Sequence, residues 1–377
     1  ARGAGPSARL GLAQGRMRAP AARLALPLAL GAACCARAQK RLLIRNGCDR
    51  ESIWIAHEAA SPTGIGPDKQ NVEIKPGAEF AFQTPAGLAA TRYWPKMGCD
   101  ASGGNCTLGG SGGPGEACVK RPPEVSKDDY SDCAPPIDTK FEGTFGNAAV
   151  PCNDQAAQGC DYVDMSLVDG WTLPFKLELK GYCVGRTGPT HDLVIDCQGL
   201  TLDQCPQDEV LTAAGNRNVD LRAFHPHTKQ VAGCHAPCQK LISDKWGSDN
   251  PVGAAHPTAA PYCCPTPPES PEACRSGPII KTKFLGAVHG RCPGVYGYAY
   301  DDGMGLLRCS PTTYYDLTFM CPDDKTNFQE GRKRNEAEQK AKAEEAKQRA
   351  EEAKQKAEEA KQRAEEAKQK AEEAKQR

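Results

Sequence analysis

The sequence DYVDMSLVDGWTLPF occupies residues 161–175, where apolar and polar side chains alternate along most of the segment. The alternation continues to residue 179 and is clearest in its second half, where Leu173, Phe175, Leu177 and Leu179 are interleaved with Pro174, Lys176 and Glu178. A period of two is typical of a strand with one buried and one solvated face. The segment therefore predicts two short strands, at residues 162–168 and 171–179.

Similar short patterns occur on both sides of this segment. Residues 41–55 and 72–82 mix apolar and polar positions at strand spacing, and so do residues 295–300 and 314–320. Many short strands separated by Gly- and Pro-rich turns, without alternating helices, favour a sandwich or barrel over a parallel α/β sheet. The predicted fold class is therefore mainly β.

Two long segments contain little apolar material for a core. Residues 97–137 form a predicted small lobe rich in Gly, Ser and Pro, and residues 198–289 form a second, disulfide-rich lobe. Segments of this composition are typical of loops. We expect disulfide bonds to hold both lobes in shape.

The N-terminal region has the pattern of a secretory signal peptide at residues 17–38. Met17 precedes basic residues, an apolar run at residues 24–35 and a small-residue site, which predicts cleavage before Gln39. The apolar run is shorter than the ~20 residues that a membrane-spanning helix needs, so no integral membrane span is predicted. Residues 1–16 are assigned no structural role, and the protein is predicted to be secreted, extracellular or in the cell wall.

The sequence has 20 cysteines, of which 18 lie between Cys48 and Cys321. An even number in an oxidising compartment predicts up to nine disulfide bonds. No pair of CxxC motifs at zinc-finger spacing is present, so we predict neither a structural metal nor any other cofactor. The predicted disulfide cysteines are Cys48, Cys99, Cys106, Cys118, Cys133, Cys152, Cys160, Cys183, Cys197, Cys205, Cys234, Cys238, Cys263, Cys264, Cys274, Cys292, Cys309 and Cys321.

The formal net charge of zero conceals an acidic body. Residues 39–330 contain 26 Lys and Arg against 35 Asp and Glu, a net charge of −9. Because phosphate contacts supply most of the affinity for nucleic acids, an acidic surface excludes nucleic acid as the expected partner. It also gives little attraction to anionic lipid.

The C-terminal segment, residues 331–377, predicts a long charged helix. From Ala343 the sequence AEEAKQ(R/K) repeats with a period of seven, which places alanines on one stripe. Glu345 precedes Arg349 by four residues, the orientation that stabilises an isolated helix by ~0.2–0.5 kcal/mol per pair. An alanine stripe buries little area, so a solvated spacer helix and a self-associating coiled coil both stay open.

Four motifs together resemble the thaumatin-like family, also known as pathogenesis-related group 5. They are DYVDMSLVDGWTLPF at 161–175, TPAGLAATRYWPKMGC at 84–99, PYCCPTPP at 261–268, and RCPGVYGYAYDDG at 291–303, which is followed by YYDLTFMCP at 314–322. The resemblance covers about residues 40–322, and few other families share these motifs. It implies an antiparallel β-sandwich at residues 39–325, built from segments 39–96, 138–197 and 290–325 and carrying the two lobes.

The resemblance also implies a disulfide pattern. Six bonds follow from it: Cys48 with Cys321, Cys183 with Cys309, Cys197 with Cys292, Cys205 with Cys234, Cys238 with Cys263, and Cys264 with Cys274. The family usually has four cysteines where this sequence has six, between Cys99 and Cys160. Six cysteines allow fifteen pairings, so the connectivity there is open.

Members of this family carry an acidic cleft between the sandwich and the disulfide-rich lobe. Matching motif by motif places Arg92, Glu142, Asp164, Asp169 and Asp301 along that cleft. If the cleft hydrolyses a glycosidic bond, we expect Glu142 as the acid, Asp164 or Asp169 as base or nucleophile, and Arg92 as the cation that keeps one carboxylate ionised. The alternative is that these carboxylates only form stabilising turns and ion pairs.

Several other residues beside the matched motifs have two possible roles. For Asp302 we expect a purely structural role. Aromatic rings near the cleft are either sugar-stacking residues or core residues: Tyr93, Trp94, Trp171, Tyr298 and Tyr300. Asn105, Cys106 and Thr107 form an N-glycosylation sequon, which is a weak glycosylation signal because Cys106 is expected to be in a disulfide.

The resemblance implies a secreted defence protein that binds β-1,3-glucan, with possible antifungal activity. Two alternatives remain: weak endo-β-1,3-glucanase activity at Glu142 with Asp164 or Asp169, and membrane permeabilisation without catalysis. The fold hosts several functions, so the choice depends on the site itself.

Overall fold

The computed structural model describes residues 40–153, 157–247, 251–322 and 328–376. The predicted signal peptide and the residues before it lie outside the described part. In that part the chain forms sixteen strands, numbered in chain order: β1 Leu42–Asn46, β2 Ile53–Glu58, β3 Val72–Ile74, β4 Glu79–Phe82, β5 Thr91–Lys96, β6 Lys140–Thr144, β7 Asp161–Ser166, β8 Gly170–Trp171, β9 Phe175–Gly185, β10 Gly188–Asp196, β11 Glu209–Leu211, β12 Asn216–Val219, β13 Arg222–Phe224, β14 Val231–His235, β15 Leu307–Cys309 and β16 Tyr314–Phe319.

The helices are short except for the last. They are α1 Pro237–Ile242, α2 Ala260–Cys263, α3 Pro271–Ser276, α4 Lys283–Arg291, α5 Asp302–Gly305 and α6 Phe328–Gln376. Short 3-10 helices lie at Ala157–Gly159, Leu202–Gln204, Thr212–Ala214 and Pro278–Lys281. The mainly β fold class is confirmed.

The main sheet is continuous, with the order β3-β2-β5-β6-β7-β15-β9-β16-β1-β4 and β10 on the other edge of β9. Neighbouring strands are antiparallel except for β1 and β16, which are parallel. The two halves of this path meet where β15 pairs with β9 through only two residue pairs, Arg308 with Val184 and Cys309 with Cys183. A disulfide between Cys183 and Cys309 reinforces that junction.

The predicted two-sheet sandwich is therefore one nearly closed, barrel-like sheet. Its two halves face each other across a core in which Phe141 of β6 packs 5.8 Å from Tyr315 of β16. At the open side, Phe82 of β4 lies 5.8 Å from His57 of β2 and 5.0 Å from Tyr93 of β5, although β4 is not hydrogen-bonded to either strand. Gly181 allows β9 to pair with strands of both halves. Its φ of 147° suits only glycine, and a Cβ there would lie 2.6 Å from Thr313 Oγ1.

Nine disulfides connect the described residues, and six of them are the pairs that the family resemblance implies. The remaining six cysteines pair in chain order, Cys99 with Cys106, Cys118 with Cys133 and Cys152 with Cys160. Two of these three bonds lie within the small lobe. They close short loops and hold a segment that has few apolar side chains of its own.

The C-terminal helix α6 is fixed to the body at its first turn. Phe328 is fully buried in the main core, and Gln329 donates its backbone N–H to Glu51 Oε1 at 3.3 Å and its side-chain amide to Cys99 O at 3.1 Å. Residues 341–364 are exposed, and the predicted pair between Glu345 and Arg349 is present at 2.6 Å. Among the described residues, no helix is both long and apolar enough to cross a membrane.

Candidate functional site

Four charged side chains form a row across four adjacent strands. Glu58 of β2 lies opposite Arg92 of β5, Arg92 lies opposite Glu142 of β6, and Glu142 lies opposite Asp164 of β7. Side chains of directly opposed residues stand on the same face of a sheet. The strand register alone therefore brings Arg92, Glu142 and Asp164 together, three of the five cleft residues expected from the sequence.

Arg92 links the acids on either side of it. Its Nη1 donates to Glu58 Oε1 at 2.8 Å, and its Nε donates to Glu142 Oε1. The Arg92 side chain is 54% exposed, while those of Glu58 and Glu142 are 32% and 28% exposed. The row is thus open to solvent at its centre and has one cation between two carboxylates.

Asp164, at the end of the row, is in a different environment. Burial raises the pKa of its carboxyl well above the ordinary value, and the negative charge of Glu142 raises it further, against the opposing effect of Arg92. Its Oδ1 is buried without a hydrogen-bond partner among the described residues. A carboxyl in this environment favours the protonated form, which can donate a proton.

Asp169 has the opposite electrostatics. Burial alone would raise the pKa of its carboxyl, but the Lys140 ammonium at 2.6 Å and a hydrogen bond from Gln239 at 2.8 Å outweigh burial and hold the pKa below its ordinary value. Lys140 belongs to β6, two residues before Glu142. Asp169 is therefore ionised and already paired.

A further buried carboxylate, Asp138, lies beside this pair. Burial raises the pKa of Asp138 to about 6, although Lys140 and a hydrogen bond from Ser111 oppose the shift. The residue is 1% exposed, and its Oδ1 has no hydrogen-bond partner in the described part of the chain. Asp138, Lys140 and Glu142 occupy alternate positions around the buried Phe141, so a period-two pattern of polar residues was a usable sequence signal for this face.

The two adjacent acids at the start of α5 have different positions. Asp301 is 6% exposed and accepts hydrogen bonds from His289 at 2.7 Å and from the Gly297 backbone at 2.9 Å, so it faces the interior. Asp302 is 48% exposed, accepts from the Tyr296 hydroxyl at 2.9 Å and pairs with Arg275. Its charge adds to the effects that raise the pKa of Asp164. Asp302, rather than Asp301, therefore adds negative charge near the row.

An open cleft of about 430 Å³ runs alongside the row and is bounded by Arg92, Lys140, Asp169 and the small lobe. Two aromatic residues line it, the buried Trp94 and Tyr130, which is 47% exposed. Tyr130 comes from an irregular loop, where no periodic pattern in the sequence marks it. Of the other predicted aromatics, Tyr93 and Trp171 are core residues, 1% exposed each.

Beyond Asp169 the surface continues into a smaller cavity. This cavity has a volume of about 140 Å³ and is lined by Asp169, Gln239 and Tyr298. Tyr300 lies nearby, where its hydroxyl bonds Thr266 and Arg275 packs 5.7 Å from its ring centroid. In the described part of the chain, no group of three or more His, Cys, Asp or Glu side chains is arranged to hold a metal ion.

The chain belongs to the Thaumatin family, whose pattern matches residues 46–322. It is 27% identical over 258 residues to a glucan endo-1,3-beta-glucosidase of Prunus avium, covering 66% of this chain and 78% of that protein. It is 25% identical over 282 residues to pathogenesis-related protein 5 of Arabidopsis thaliana, covering 74% and 89% respectively. A β-1,3-glucanase domain from Clostridium beijerinckii aligns with 74% of this chain and 98% of its own length, at 11% identity and a TM-score of 0.31. This similarity is too low to show a shared fold.

Proposed function

We propose that this protein is a secreted defence protein that binds β-1,3-glucan in the cleft between the main sheet and the small lobe. The observation that carries the proposal is the row Glu58–Arg92–Glu142–Asp164. Glu58 and Arg92 line an open cleft, and Glu142 and Asp164 continue the row beside it. Carboxylates accept hydrogen bonds from sugar hydroxyls, and the Arg92 guanidinium donates to their oxygens. Antifungal activity would follow from retention on fungal cell walls.

The shape and composition of the cleft suit an extended neutral polysaccharide. The cleft is open rather than enclosed, and Tyr130 gives it an exposed ring on which a pyranose face can stack. Its positive and negative groups are interspersed, because Arg92 and Lys140 are each paired with acids. A neutral hydroxyl-rich ligand fits this pattern better than a strongly charged one. Nine disulfides support the proposed secretion.

A matched pair of tyrosines tests the binding proposal. Tyr130 and Tyr182 are both exposed, at 47% and 42%, but Tyr182 lies on β9 away from the cleft. Purified Tyr130→Ala should be retained less than the wild type on insoluble β-1,3-glucan, whereas Tyr182→Ala should be retained normally. Equal retention of all three proteins, or equal retention of the wild type on cellulose and β-1,3-glucan, would contradict the proposal.

The protonation of Asp164 favours a second candidate, weak endo-β-1,3-glucanase activity. Asp164 has the raised pKa of an acid and Glu142 has the cationic partner of an ionised base or nucleophile. These contacts favour the reverse of the roles predicted from the sequence.

Hydrolysis is distinguished from binding by assaying reducing ends. If the pair is catalytic, the wild type releases reducing ends from laminarin, and Asp164→Asn and Glu142→Gln each abolish that release while retaining binding. Because a protonated Asp164 would be required, the rate should fall as the pH rises through its raised pKa. If the wild type binds glucan and releases no reducing ends, the hydrolytic candidate is excluded and the binding proposal stands.

We further propose that α6 is a spacer rather than an oligomerisation element. Its 49 residues extend roughly 70 Å at 1.5 Å per residue. In the heptad, Lys347 and Arg349 flank the alanine stripe on both sides. A second copy would therefore bring cations against cations, which disfavours pairing. Sedimentation equilibrium should give a monomer at micromolar concentration, and a dimer would contradict the spacer role.

A further inference from the structure

A second pocket, here called the lobe pocket, lies on the other side of the small lobe from the cleft. Its volume is about 510 Å³, and Asn105, Glu116, His225, Trp246 and Glu336 are among its lining residues. The cleft is lined instead by residues 111–114 and by Tyr130 of the same lobe. Glu336 belongs to α6, which lies outside the family match at residues 46–322. The lobe pocket is therefore partly built from structure that is additional to the family pattern.

One wall holds a buried carboxylate with unused hydrogen-bonding capacity. Glu116 is 3% exposed, and its Oε2 accepts from Lys96 Nζ at 2.7 Å. Its Oε1 has no hydrogen-bond partner among the described residues. Leaving a buried acceptor unsatisfied costs about 1–3 kcal/mol, and Glu116 is a buried carboxylate among the residues that line the pocket.

The pocket lining also includes an indole on a residue in an unusual backbone conformation. Trp246 has a φ of +54°, a region that bulky residues rarely adopt. The His225 ring packs edge-on at 5.2 Å from the Trp246 ring, and Nε2 of the fully buried His235 lies 3.4 Å from the Trp246 carbonyl oxygen. Strained backbone held by its surroundings is concentrated at binding sites.

His225 adds a hydrogen-bond donor to the pocket. Its Nδ1 accepts from the backbone N–H groups of Thr228 at 3.1 Å and His227 at 3.3 Å. In a neutral imidazole whose Nδ1 accepts, Nε2 carries the proton and donates. The pocket thus combines a carboxylate acceptor, an imidazole donor and an indole ring.

We propose that the lobe pocket is a saccharide-binding subsite separate from the acidic cleft. A sugar offers hydroxyls that both donate and accept, and an apolar ring face that stacks on an indole. A cationic ligand suits the pocket less well, because Glu116 is already paired with Lys96 and Asp132 with Lys120. A subsite on the far side of the lobe would let the protein engage two saccharide segments at once.

The saccharide can come from two sources. One is a soluble oligosaccharide or chain end. The other is a glycan on Asn105, which lies in an Asn-Cys-Thr sequon, is exposed and lines the same pocket. Attachment forms a bond between Asn105 Nδ2 and the sugar C1 and breaks the bond from C1 to the diphosphate of a lipid-linked donor; Nδ2 loses a proton and the diphosphate leaves.

Tryptophan fluorescence distinguishes these sources. The other three tryptophans, Trp54, Trp94 and Trp171, are at most 9% exposed. Because Trp94 lines the cleft, each titration is repeated in Arg92→Met protein, in which cleft binding is weakened and Trp246 should dominate the response. In Asn105→Gln protein, which carries no glycan there, laminaripentaose, cellopentaose and N-acetylchitopentaose are titrated separately. A soluble ligand should give a saturating change in emission for at least one of them. Calorimetric titration of Trp246→Asn, chosen because Asn tolerates positive φ, should show an affinity that is weakened tenfold or more.

Controls keep the result specific to the lobe pocket. Arg92→Met, in the cleft, should leave the Trp246 signal unchanged, and His227→Ala, an exposed change at the pocket rim, should weaken it without loss of folding. For the attached source, wild type from a eukaryotic secretory host is weighed by intact mass and its emission is measured before and after peptide N-glycosidase treatment. Removal of an Asn105 glycan should then change the emission.

Two results together would overturn the proposal. The first is that no oligosaccharide of the panel changes emission, or that its calorimetric affinity is unchanged in Trp246→Asn and His227→Ala. The second is that Asn105 carries no glycan, or that its removal leaves emission unchanged. Neither result depends on glucan binding in the cleft, which is scored separately by retention on insoluble β-1,3-glucan.

Discussion

Glu142 and Asp164 lie directly opposite each other on neighbouring strands, and Arg92 pairs with Glu142 while Asp164 Oδ1 is buried without a hydrogen-bond partner among the described residues. Two carboxyls on one face therefore have different environments. One is partly exposed and paired with a cation, and the other is desolvated. This asymmetry places a carboxylate that is paired with a cation beside a carboxyl whose burial favours the protonated form, which suits hydrogen bonding to sugar hydroxyls.

Replacing Asp164 should stabilise the fold at neutral pH. Because its folded pKa is raised, the folded state holds the proton at pH values where the unfolded chain has lost it, so stability falls as the pH rises from the unfolded pKa through the folded one. Asp164→Asn removes this loss and should raise the free energy of unfolding at pH 7 more than at pH 3. Guanidinium titrations at pH 7 and pH 3 check this; an equal gain at both pH values would contradict the assigned pKa.

His235 should make the protein sensitive to acid. Burial lowers the pKa of this fully buried imidazole to about 4, and the nearby Lys240 lowers it in the same direction. An unfolded His titrates near ~6.5, so stability contributed by the neutral ring is lost as the pH falls from about 6.5 towards 4, by on the order of 3 kcal/mol. Unfolding at pH 7, 5.5 and 4 should show this loss, and His235→Gln should flatten the profile. An unchanged slope in the variant would show that other groups cause the acid sensitivity.

Disulfides that close long and short loops should differ in their contribution. Cys48–Cys321 has a sequence separation of 273 and Cys152–Cys160 a separation of 8. In the loop-entropy relation, removal of the first should cost about 5.6 kcal/mol and removal of the second about 2.5 kcal/mol. Double Ser variants of each pair, compared by thermal unfolding, measure the difference. Equal losses would mean that denatured-state loop entropy is not the main source of stabilisation.

The first turn of α6 should be coupled to the body and the rest of the helix should not. Phe328→Ala removes a fully buried ring and should cost about 3–5 kcal/mol of body stability. Its far-UV helical signal should persist at temperatures below unfolding, because residues 341–364 are exposed and depend on local pairs. Ala350→Gly is the converse control, expected to weaken the helical signal and leave the unfolding midpoint of the body unchanged. If either variant lost both the helical signal and the stability of the body, the exposed part of α6 would not be independent of the body.

The sequence predicted the parts of the site that follow from strand motifs. Arg92, Glu142 and Asp164 were placed by motifs that lie on β5, β6 and β7, and antiparallel register then brought them together. Lys140 was missed although it alternates with Phe141 on the same strand as Glu142. A period-two search for polar residues opposite buried ones would have found it.

Other features depend on geometry that a linear pattern does not contain. Asp301 and Asp302 are adjacent in sequence, and only the turn into α5 decides that Asp301 bonds His289 inside while Asp302 faces solvent. The pairing of the six cysteines from Cys99 to Cys160 depends on how the lobe folds, and so does the position of Tyr130. The sheet is continuous because β15 pairs with β9 through two residue pairs, Arg308 with Val184 and Cys309 with Cys183. Two pairs are too few to leave a periodic signal in the sequence.

Glucan retention by Arg92→Met beside Arg186→Met tests the central claim most directly. Both variants lose one exposed guanidinium, but Arg92 lies in the charged row and Arg186 lies in the turn between β9 and β10. We predict that Arg92→Met weakens binding to β-1,3-glucan about tenfold or more, corresponding to about 1.4 kcal/mol, and that Arg186→Met binds like the wild type. Equal affinity of the two variants and the wild type would contradict a binding site at the charged row.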